Sequence, residues 1–174
     1  MDGVVDKQLQ SSLNEIDLRR LDVTEKFGSP DLFVSSETDT EWFHWVDDIY
    51  LKPLYFDLKN CIFHNIMWVK APGCLGRHRH RGVVTAMTLE GTWRYDEYDW
   101  VAKPGDFVKE HPGVIHTLYS DTGCKVNFTL HSSLEFYDEQ DELLDIMDVF
   151  SFLDLYIEHC KANNTKINQD LIGR

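Results

Sequence analysis

The chain has little of what nucleic-acid-binding, membrane and disulfide-rich proteins need. Its 17 lysine and arginine residues are outnumbered by 30 aspartate and glutamate residues, which gives a net charge of −13. Nucleic acid or an anionic membrane surface would require a basic patch, so we expect neither as a partner. No apolar run approaches the ~18 residues of a membrane span, and the N-terminus lacks the basic and long apolar regions of a signal peptide. The sequence therefore predicts a soluble, cytoplasmic protein.

Cysteine is scarce and widely spread along the chain. No two of the four cysteines form a Cys-x-x-Cys pair, so nothing suggests a zinc knuckle or a thioredoxin-type redox centre. Free thiols in a reducing compartment are the expectation. No linker rich in proline, serine or glycine divides the 174 residues, and a hydrophobic content of 43% is enough for one substantial core. We therefore expect a single globular domain.

What the chain does contain is a His-x-His pair, His78 and His80. Successive side chains of a β-strand point to opposite faces, so these two imidazoles project the same way and can share an ion. His116 follows behind a turn predicted at Pro112-Gly113 and closes the set. Buried polar groups of this kind require a partner, and a metal ion is the partner that three imidazoles predict.

A carboxylate ligand is predicted from the next hairpin. If Glu90-Gly91 is a two-residue turn between two strands, Glu97 lies directly opposite Val84, and directly paired residues share a face of the sheet. Glu97 then reaches the interior that holds the histidines. Glu110 and His111 compete as ligands because they are close to His116 in sequence, but their position at a turn favours solvent. The predicted metal ligands are His78, His80, Glu97 and His116.

Three further residues are candidates for a substrate pocket. His131 stands on a strand predicted from Val126 to His131 and shares a face with Thr129, so both could line the cavity; a solvent-facing histidine at a strand end is the alternative. Met67 is the third candidate, although methionine in a barrel is more often core packing.

Glycine-containing turns at regular intervals between apolar segments predict an all-β sandwich or barrel. Three short strands are expected between Trp42 and Val69. Beyond Phe136 the pattern changes, and Asp148 is predicted to cap a helix that ends near Asn163-Asn164. Near the N-terminus, Lys7 to Leu21 has the spacing of a short amphipathic helix, with a disordered arm as the alternative. The turns are Pro72-Gly73, Glu90-Gly91, Pro104-Gly105, Pro112-Gly113 and Thr122-Gly123.

The order His-x-His, strand, turn, strand, Pro-Gly turn and His resembles the two motifs of the cupin superfamily, a small β-barrel with a metal inside. The general cupin pattern has a glutamate where this chain has Val84. That variation, and the run HRHRGVVTAMTLEGTWRYDEYDWVAKPGDFV, resemble 2,4'-dihydroxyacetophenone dioxygenase and related single-domain cupins. WVKAPG, KPL and FLDLYIEHCKA are similar to the same group. The similarity spans about Trp42 to Ala162.

The resemblance implies a single cupin β-barrel of the jelly-roll type over residues 41–140. An N-terminal arm, partly helical, would occupy residues 1–40, and a C-terminal helix and tail packed on the barrel would occupy residues 141–174. It also implies a homodimer or homotetramer, as do the exposed edges of a single barrel.

The implied activity is that of an Fe(II) dioxygenase, which uses O₂ to cleave a carbon–carbon bond of a small chelating hydroxyketone or diketone. The ligand types also suit Zn, Mn, Ni, Co or Cu. No separate catalytic base is expected beyond the metal ligands. Two alternatives are a metal- and ligand-binding cupin without turnover and a metal-dependent isomerase, hydrolase or lyase that acts without O₂. A fold this versatile does not by itself choose among them.

Overall fold

The computed structural model describes residues 13–28 and 31–173, and the chain divides into two compact units, Met1–Val34 and Ser35–Arg174. In the first unit, helix α1 (Glu15–Phe27) begins at the N-cap Asn14, whose side chain accepts a hydrogen bond from the amide of Asp17. The predicted helix is present in part, but it runs six residues past Leu21. The portion predicted for residues 7–12 lies outside the described ranges. No helix in those ranges is long and apolar enough to cross a membrane.

The second unit contains two sheets whose strands pair antiparallel except for β12, which lies parallel to β2, as expected of a cupin sandwich. Of the described strands, seven form the first sheet, in the order β1-β2-β3-β9-β5-β7 with β12 beside β2, and five form the second, in the order β11-β10-β4-β8-β6. The strands are β1 (Phe43–Val46), β2 (Ile49–Asp57), β3 (Ile62–Val69), β4 (Gly73–His80), β5 (Val84–Gly91), β6 (Arg94–Tyr95), β7 (Phe107–Glu110), β8 (Ile115–Ser120), β9 (Cys124–His131), β10 (Leu134–Tyr137), β11 (Leu143–Met147) and β12 (Ile172–Gly173).

The three strands predicted between Trp42 and Val69 are β1, β2 and β3, which pair consecutively in the first sheet. Pro53 does not end a strand but lies inside β2, where a register shift follows it. Proline is tolerated there because it removes a ladder hydrogen bond at a point where the ladder is already irregular. In β3 the burial alternates strictly, so one face of the strand packs into the core.

The predicted hairpin at Glu90-Gly91 does not form. Gly91 ends β5 with a left-handed φ of 69°, and the chain then crosses to the second sheet, where Arg94 and Tyr95 pair with β8. β5 pairs instead with β7 and β9. A side chain is excluded at Gly91, because a Cβ there would meet the carbonyl oxygen of Gly123 at 1.9 Å. The glycine marks a close backbone approach and a crossover rather than a two-residue turn.

A long helix closes one end of the sandwich. Helix α2 (Val149–Asn163) starts at a capping box made by Asp148 and Ser151 and ends at Asn164, which adopts the left-handed conformation. Its buried face carries Phe152, which stacks on Phe63 with ring centroids 4.9 Å apart. Both helix ends agree with the sequence-based prediction.

The cap gives a direct test of how α2 is held. Asp148 accepts hydrogen bonds from the amides of Phe150 and Ser151, so we expect Asp148→Ala to lower the free energy of unfolding by about 1 kcal/mol. Asp154→Ala is the matched control, because Asp154 is exposed within the same helix, where alanine is the better helix former. In denaturant unfolding, we expect the midpoint of Asp148→Ala to fall and the midpoint of Asp154→Ala to rise or stay unchanged.

Candidate metal centre

Three histidines meet between the two sheets. His78 and His80 lie on β4, and His116 lies on β8 as the direct register partner of His78. The ligand atoms of the three rings lie within 4.8 Å of one another, and each residue is at most 5% exposed. The group could hold a metal ion. Directly paired residues share a face, which is why one strand pair delivers all three imidazoles to one place.

A bulge in β4 turns His78 and His80 toward the interior between the two sheets. Leu75 pairs with Leu118 and His78 pairs with His116, so three steps along β4 match two steps along β8. Without the extra residue, the alternation of a strand would place Leu75 inside and both histidines outside. The bulge lies at Gly76 and Arg77, and the carbonyl oxygen of Gly76 accepts a hydrogen bond of 2.7 Å from His78 Nδ1. Bulges commonly re-aim side chains at functional sites in this way.

The carboxylate beside the histidines is Glu110. It ends β7 as the register partner of Val84, so the residue that faces Val84 across the sheet is Glu110 and not Glu97. Its Oε2 atom lies 3.3 Å from His80 Nε2 and 3.5 Å from His116 Nε2. Glu110 is 7% exposed, whereas the adjacent His111 is exposed, so the inference that both face solvent is wrong for Glu110.

Glu97 lies outside this cluster. It follows the end of the short strand β6, is exposed, and accepts a hydrogen bond of 2.9 Å from the amide of Thr117 on β8. The structure thus does not bring it to the histidines. The physical reason is the crossover after Gly91, which pairs the strand containing Tyr95 with β8 instead of β5.

Two buried carboxylates of the sandwich, Glu135 and Glu110, differ in their hydrogen-bond donors and therefore in their pKa values. Glu135, on β10, receives hydrogen bonds from Arg79, Arg81 and Tyr137. Burial alone would raise its pKa, but these donors outweigh burial and lower the pKa to about 2. Glu110 has one donor, the hydroxyl of Tyr95 at 2.7 Å from Oε1, and burial raises its pKa to about 7. Its second oxygen is left without a protein donor.

Two buried side-chain atoms without hydrogen-bond partners lie in the histidine cluster. Among the described residues, four buried side-chain atoms lack a hydrogen-bond partner, and they include Glu110 Oε2 and His116 Nε2, which face each other. A buried orphan of this kind costs about 1–3 kcal/mol unless something satisfies it. Two such atoms side by side, on a carboxylate and an imidazole, have the donor chemistry of metal ligands.

The histidines are neutral, as metal ligation requires. Burial lowers the pKa of His78 to about 4 and that of His116 to about 3. Burial and the two neighbouring histidines also lower the pKa of His80. Because the carbonyl oxygen of Gly76 can only accept, Nδ1 of His78 carries the proton and Nε2 keeps its lone pair.

The residues fit a divalent ion. Two ligands at right angles around an ion, each about 2.1 Å from it, are about 3.0 Å apart. The distances of 3.3 and 3.5 Å between Glu110 Oε2 and the two Nε2 atoms are close to this value. A mixed set of imidazoles and a carboxylate suits Fe(II) and several other first-row ions.

A small, mostly apolar cavity with a volume of about 30 Å³ opens beside His78 and His80. Met67 lines it, as the sequence suggested. Thr129 and His131 do not, because the inward side chains of β9 at this level are Phe128 and Leu130, and the two candidates lie on the opposite face. Thr129 instead contacts His64 Nδ1 at 3.0 Å.

Among the cavity residues that sequence reasoning missed, Asn65 is the polar one with an unpaired atom. It is 2% exposed, lines the cavity on β3, and its Oδ1 atom has no hydrogen-bond partner. The signal was present in the sequence: in the alternating set Phe63, Asn65, Met67 and Val69, all buried, one member is polar. A lone amide on the buried face of a strand needs a partner, and a ligand in the cavity can supply one.

These two sheets and the histidine cluster define a cupin. The family described as the ChrR cupin-like domain matches residues 31–134, and the chain belongs to that family. No curated protein matches the chain significantly.

Solved structures agree on the fold. An RmlC-like cupin from Ralstonia eutropha JMP134 is 27% identical, with a TM-score of 0.70 over 74% of this chain and 86% of that one. A protein with a cupin-like fold from the same organism is 20% identical, with a TM-score of 0.65 over 68% and 76%. An acetylacetone dioxygenase from Acinetobacter johnsonii is 13% identical, with a TM-score of 0.67 over 75% and 93%. The last two similarities show the fold alone.

The pKa values predict how metal affinity changes with pH. With the histidines already neutral, Glu110 is the one group of the cluster that must lose a proton near neutral pH, since its pKa is raised to about 7. We expect the association constant to fall about tenfold for each pH unit below 7 and to level off above it, because one proton competes with the ion. Titration against a chelator at several pH values measures this slope. A slope of three would contradict it and indicate histidines that titrate normally.

Proposed function

We propose that the protein is a metal-dependent dioxygenase that uses Fe(II) and O₂ to cleave a carbon–carbon bond of a small chelating hydroxyketone or diketone. One observation carries the proposal: three neutral imidazoles and a free carboxylate oxygen converge at the edge of a buried, mostly apolar cavity. His78, His80, His116 and Glu110 would hold the ion. When bound, the ion would serve as a Lewis acid and as a template for a chelating substrate and O₂.

The protein residues supply orientation and a dry surrounding. The carbonyl oxygen of Gly76 fixes the tautomer of His78, and Tyr95 holds one oxygen of Glu110 so that the other points to the histidines. Tyr95 also stacks on His116, with centroids 3.8 Å apart and an interplanar angle of 5°, which restrains that ring. Such supporting contacts keep ligands in place before an ion arrives.

The cavity supports a small, largely apolar substrate. Its walls are mostly aliphatic and aromatic, and Asn65 offers a polar contact besides the histidines. The structural neighbour named acetylacetone dioxygenase acts on a β-diketone, a compound with two oxygens placed for chelation. A hydroxyketone or diketone with one short apolar substituent has the same two features, and the hydroxyl of a hydroxyketone would also donate a hydrogen bond to the unpaired Oδ1 of Asn65.

Oxygen uptake tests the proposal. We would load the metal-free protein anaerobically with one equivalent of Fe(II) and follow O₂ consumption with a panel of α-hydroxyketones and β-diketones. We expect uptake with some members of the panel, two carboxylic acids as products of a hydroxyketone, and no activity in His80→Ala. His111→Ala is the matched control, because His111 is an exposed histidine next to the site, and it should behave as wild type.

Two other outcomes would overturn the dioxygenase proposal. Tight metal binding without O₂ uptake across the panel would indicate a ligand-binding cupin. Turnover with zinc or manganese in the absence of O₂ would indicate an isomerase, hydrolase or lyase. In both cases the metal site would stand and the reaction would not.

Asn65 allows a prediction about substrate binding. Because its Oδ1 atom lies unpaired in the cavity wall, we expect Asn65→Leu to raise KM for a substrate that carries a hydroxyl donor about 10-fold or more, through loss of one buried hydrogen bond. The metal affinity should stay unchanged. The same variant should leave KM for a diketone without a donor nearly unaffected, which separates the hydrogen bond from a change in cavity shape. Steady-state kinetics on both substrate types gives the comparison.

A further inference from the structure

A group of tyrosine and tryptophan rings runs from the metal site to the surface. Tyr95 stacks on His116, as described above, and its ring centroid lies 5.7 Å from that of Trp100. Trp100 stacks on Tyr98 at 5.8 Å with an interplanar angle of 18°, and Tyr98 is 44% exposed. We call Tyr95, Trp100 and Tyr98 the aromatic relay.

The relay differs in composition from the aromatic cluster under helix α2. Its members, and the buried Trp93 that lies 5.4 Å from both Tyr95 and Trp100, are all residues that can give up one electron. Under helix α2 the stacked rings are mainly phenylalanines, which are far harder to oxidise: Phe56, Phe63 and Phe152. Packing alone would not require that every ring between His116 and the surface be a phenol or an indole.

The first member of the relay is also prepared for oxidation. The hydroxyl of Tyr95 donates a hydrogen bond of 2.7 Å to Glu110 Oε1. A phenol loses an electron more readily when its proton has an acceptor at hand. Tyr95 is 1% exposed, so the proton cannot go directly to water, and the carboxylate is the acceptor that the structure provides.

We propose that the aromatic relay conducts electrons from the protein surface to the metal site when an oxidant forms there without a substrate to consume it. The role rests on the proposed function, because it requires a redox-active metal in the site. It would protect His78, His80 and His116, whose imidazoles would otherwise be the nearest groups open to oxidation.

The electrons and protons of the process balance with hydrogen peroxide as the oxidant. Its reduction to two water molecules takes two electrons and two protons. Fe(II) supplies one electron on becoming Fe(III), and Tyr95 supplies the other while its proton shifts to Glu110 Oε1. Trp100 then gives an electron to Tyr95, which recovers its proton from Glu110, and Tyr98 in turn gives an electron to Trp100. Tyr98 releases a proton to solvent and remains as a neutral radical, and solvent provides the second proton. Two equivalents of an external thiol, which become one disulfide, then reduce the Tyr98 radical and return Fe(III) to Fe(II).

A radical measurement tests the relay independently of turnover. Anaerobic Fe(II)-loaded protein would be mixed with one equivalent of hydrogen peroxide without substrate, frozen within milliseconds, and examined by electron paramagnetic resonance. We expect a tyrosyl signal in the wild type that added thiol abolishes, because Tyr98 is exposed, and in the double variant Tyr98→Phe, Trp100→Phe a signal confined to the buried Tyr95 that thiol does not abolish. Tyr119→Phe is the control, because Tyr119 lies on β8 outside the relay, and it should keep the signal.

Peptide mass spectrometry on the same samples shows where oxidation ends. In the wild type and in Tyr119→Phe, with a thiol present, we expect the peptides with His78, His80 and His116 to stay intact over repeated additions of peroxide. In the double variant these peptides should gain oxygen atoms. Equal damage in all three proteins, or peroxide consumption without any tyrosyl signal in the wild type, would overturn the relay.

The two proposals fail in different ways. If iron binds and O₂ uptake with substrate is normal while the radical is absent, the relay is wrong and the dioxygenase stands. If the protein retains no redox-active metal, neither peroxide consumption nor a radical appears, and both are rejected. A radical with no substrate turnover on any panel member would support the relay and reject the dioxygenase.

Discussion

Glu110→Gln should weaken metal binding and at the same time stabilise the metal-free protein. Glutamine keeps the size of the side chain and can still accept the hydrogen bond from Tyr95, but it removes the negative charge. Loss of a supporting group around a metal typically costs 10–100-fold in affinity, and we expect the loss of a charged ligand to reach about 100-fold or more. Competition with a chromophoric chelator measures it.

The gain in stability follows from the raised pKa. The protonated form of Glu110 is favoured in the folded state, so folding is not penalised below the ordinary pKa of 4.5, and the penalty grows as pH rises to about 7. Above pH 7 the shift corresponds to an upper limit of about 3 kcal/mol. We expect Glu110→Gln to raise the free energy of unfolding of the metal-free protein at pH 8 and to change it little at pH 4.

Glu97→Gln is the matched control for both effects. Glu97 is exposed and caps the amide of Thr117, so its replacement should change metal affinity little and should not stabilise the metal-free protein. If Glu97→Gln lost the metal and Glu110→Gln kept it, the cluster described here would not be the metal site. In a preorganised site, a ligand such as Glu110 lowers the stability of the metal-free protein and raises the affinity for the metal.

Local signals were enough to predict much of the fold. The C-terminal helix was bounded correctly because its two ends are determined by adjacent residues, Asp148 at the start and Asn164 at the end. The three strands before Val69 were expected for a similar reason, since alternating apolar residues and turns are read over a few positions. Near the N-terminus the predicted helix ended too early, because the weak apolar spacing that indicated it stops before Leu21, whereas α1 continues to Phe27.

The site was harder to predict because it depends on pairing between distant strands. Cross-strand reasoning from Val84 was sound, but it was applied to the wrong partner: Gly91 signalled a hairpin, whereas the chain crosses to the other sheet and β7 takes the place beside β5. Glu110 was then set aside because it precedes a turn. The last residue of an edge strand can still point inward, and only the register of β7 decides this.

The direction of His78 and His80 also depends on a non-local feature. The prediction that they share a face needed only the period of a strand, but which face it is depends on the bulge at Gly76 and Arg77. Nothing in the sequence fixes a bulge there, since a Cβ at Gly76 would meet no atom within 4 Å and the glycine is not sterically required. The bulge is set by pairing with β8, so sequence patterns alone do not give it.

Phe152→Ala should cause the largest loss of stability among single changes near the cavity. Phe152 is 3% exposed, stacks on Phe63, and contacts Trp45 at a centroid distance of 5.3 Å, so it closes the cavity from the side of helix α2. Truncation of a buried phenylalanine costs about 3–5 kcal/mol, through lost transfer free energy and the void that remains. Denaturant unfolding of the metal-free protein measures the loss.

Phe150→Ala separates closure of the cavity from the general effect of removing an aromatic ring from α2. Phe150 is 48% exposed two residues earlier in the same helix, and its truncation should cost little. Because the void left by Phe152→Ala would be lined by apolar groups, a small aromatic compound such as benzene should bind there and restore part of the stability, with no such effect on Phe150→Ala. Equal losses in the two variants, or no rescue, would mean that helix α2 does not form the end wall of the cavity. A positive result would make position 152 the place to enlarge the cavity for longer substrates while leaving the metal ligands untouched.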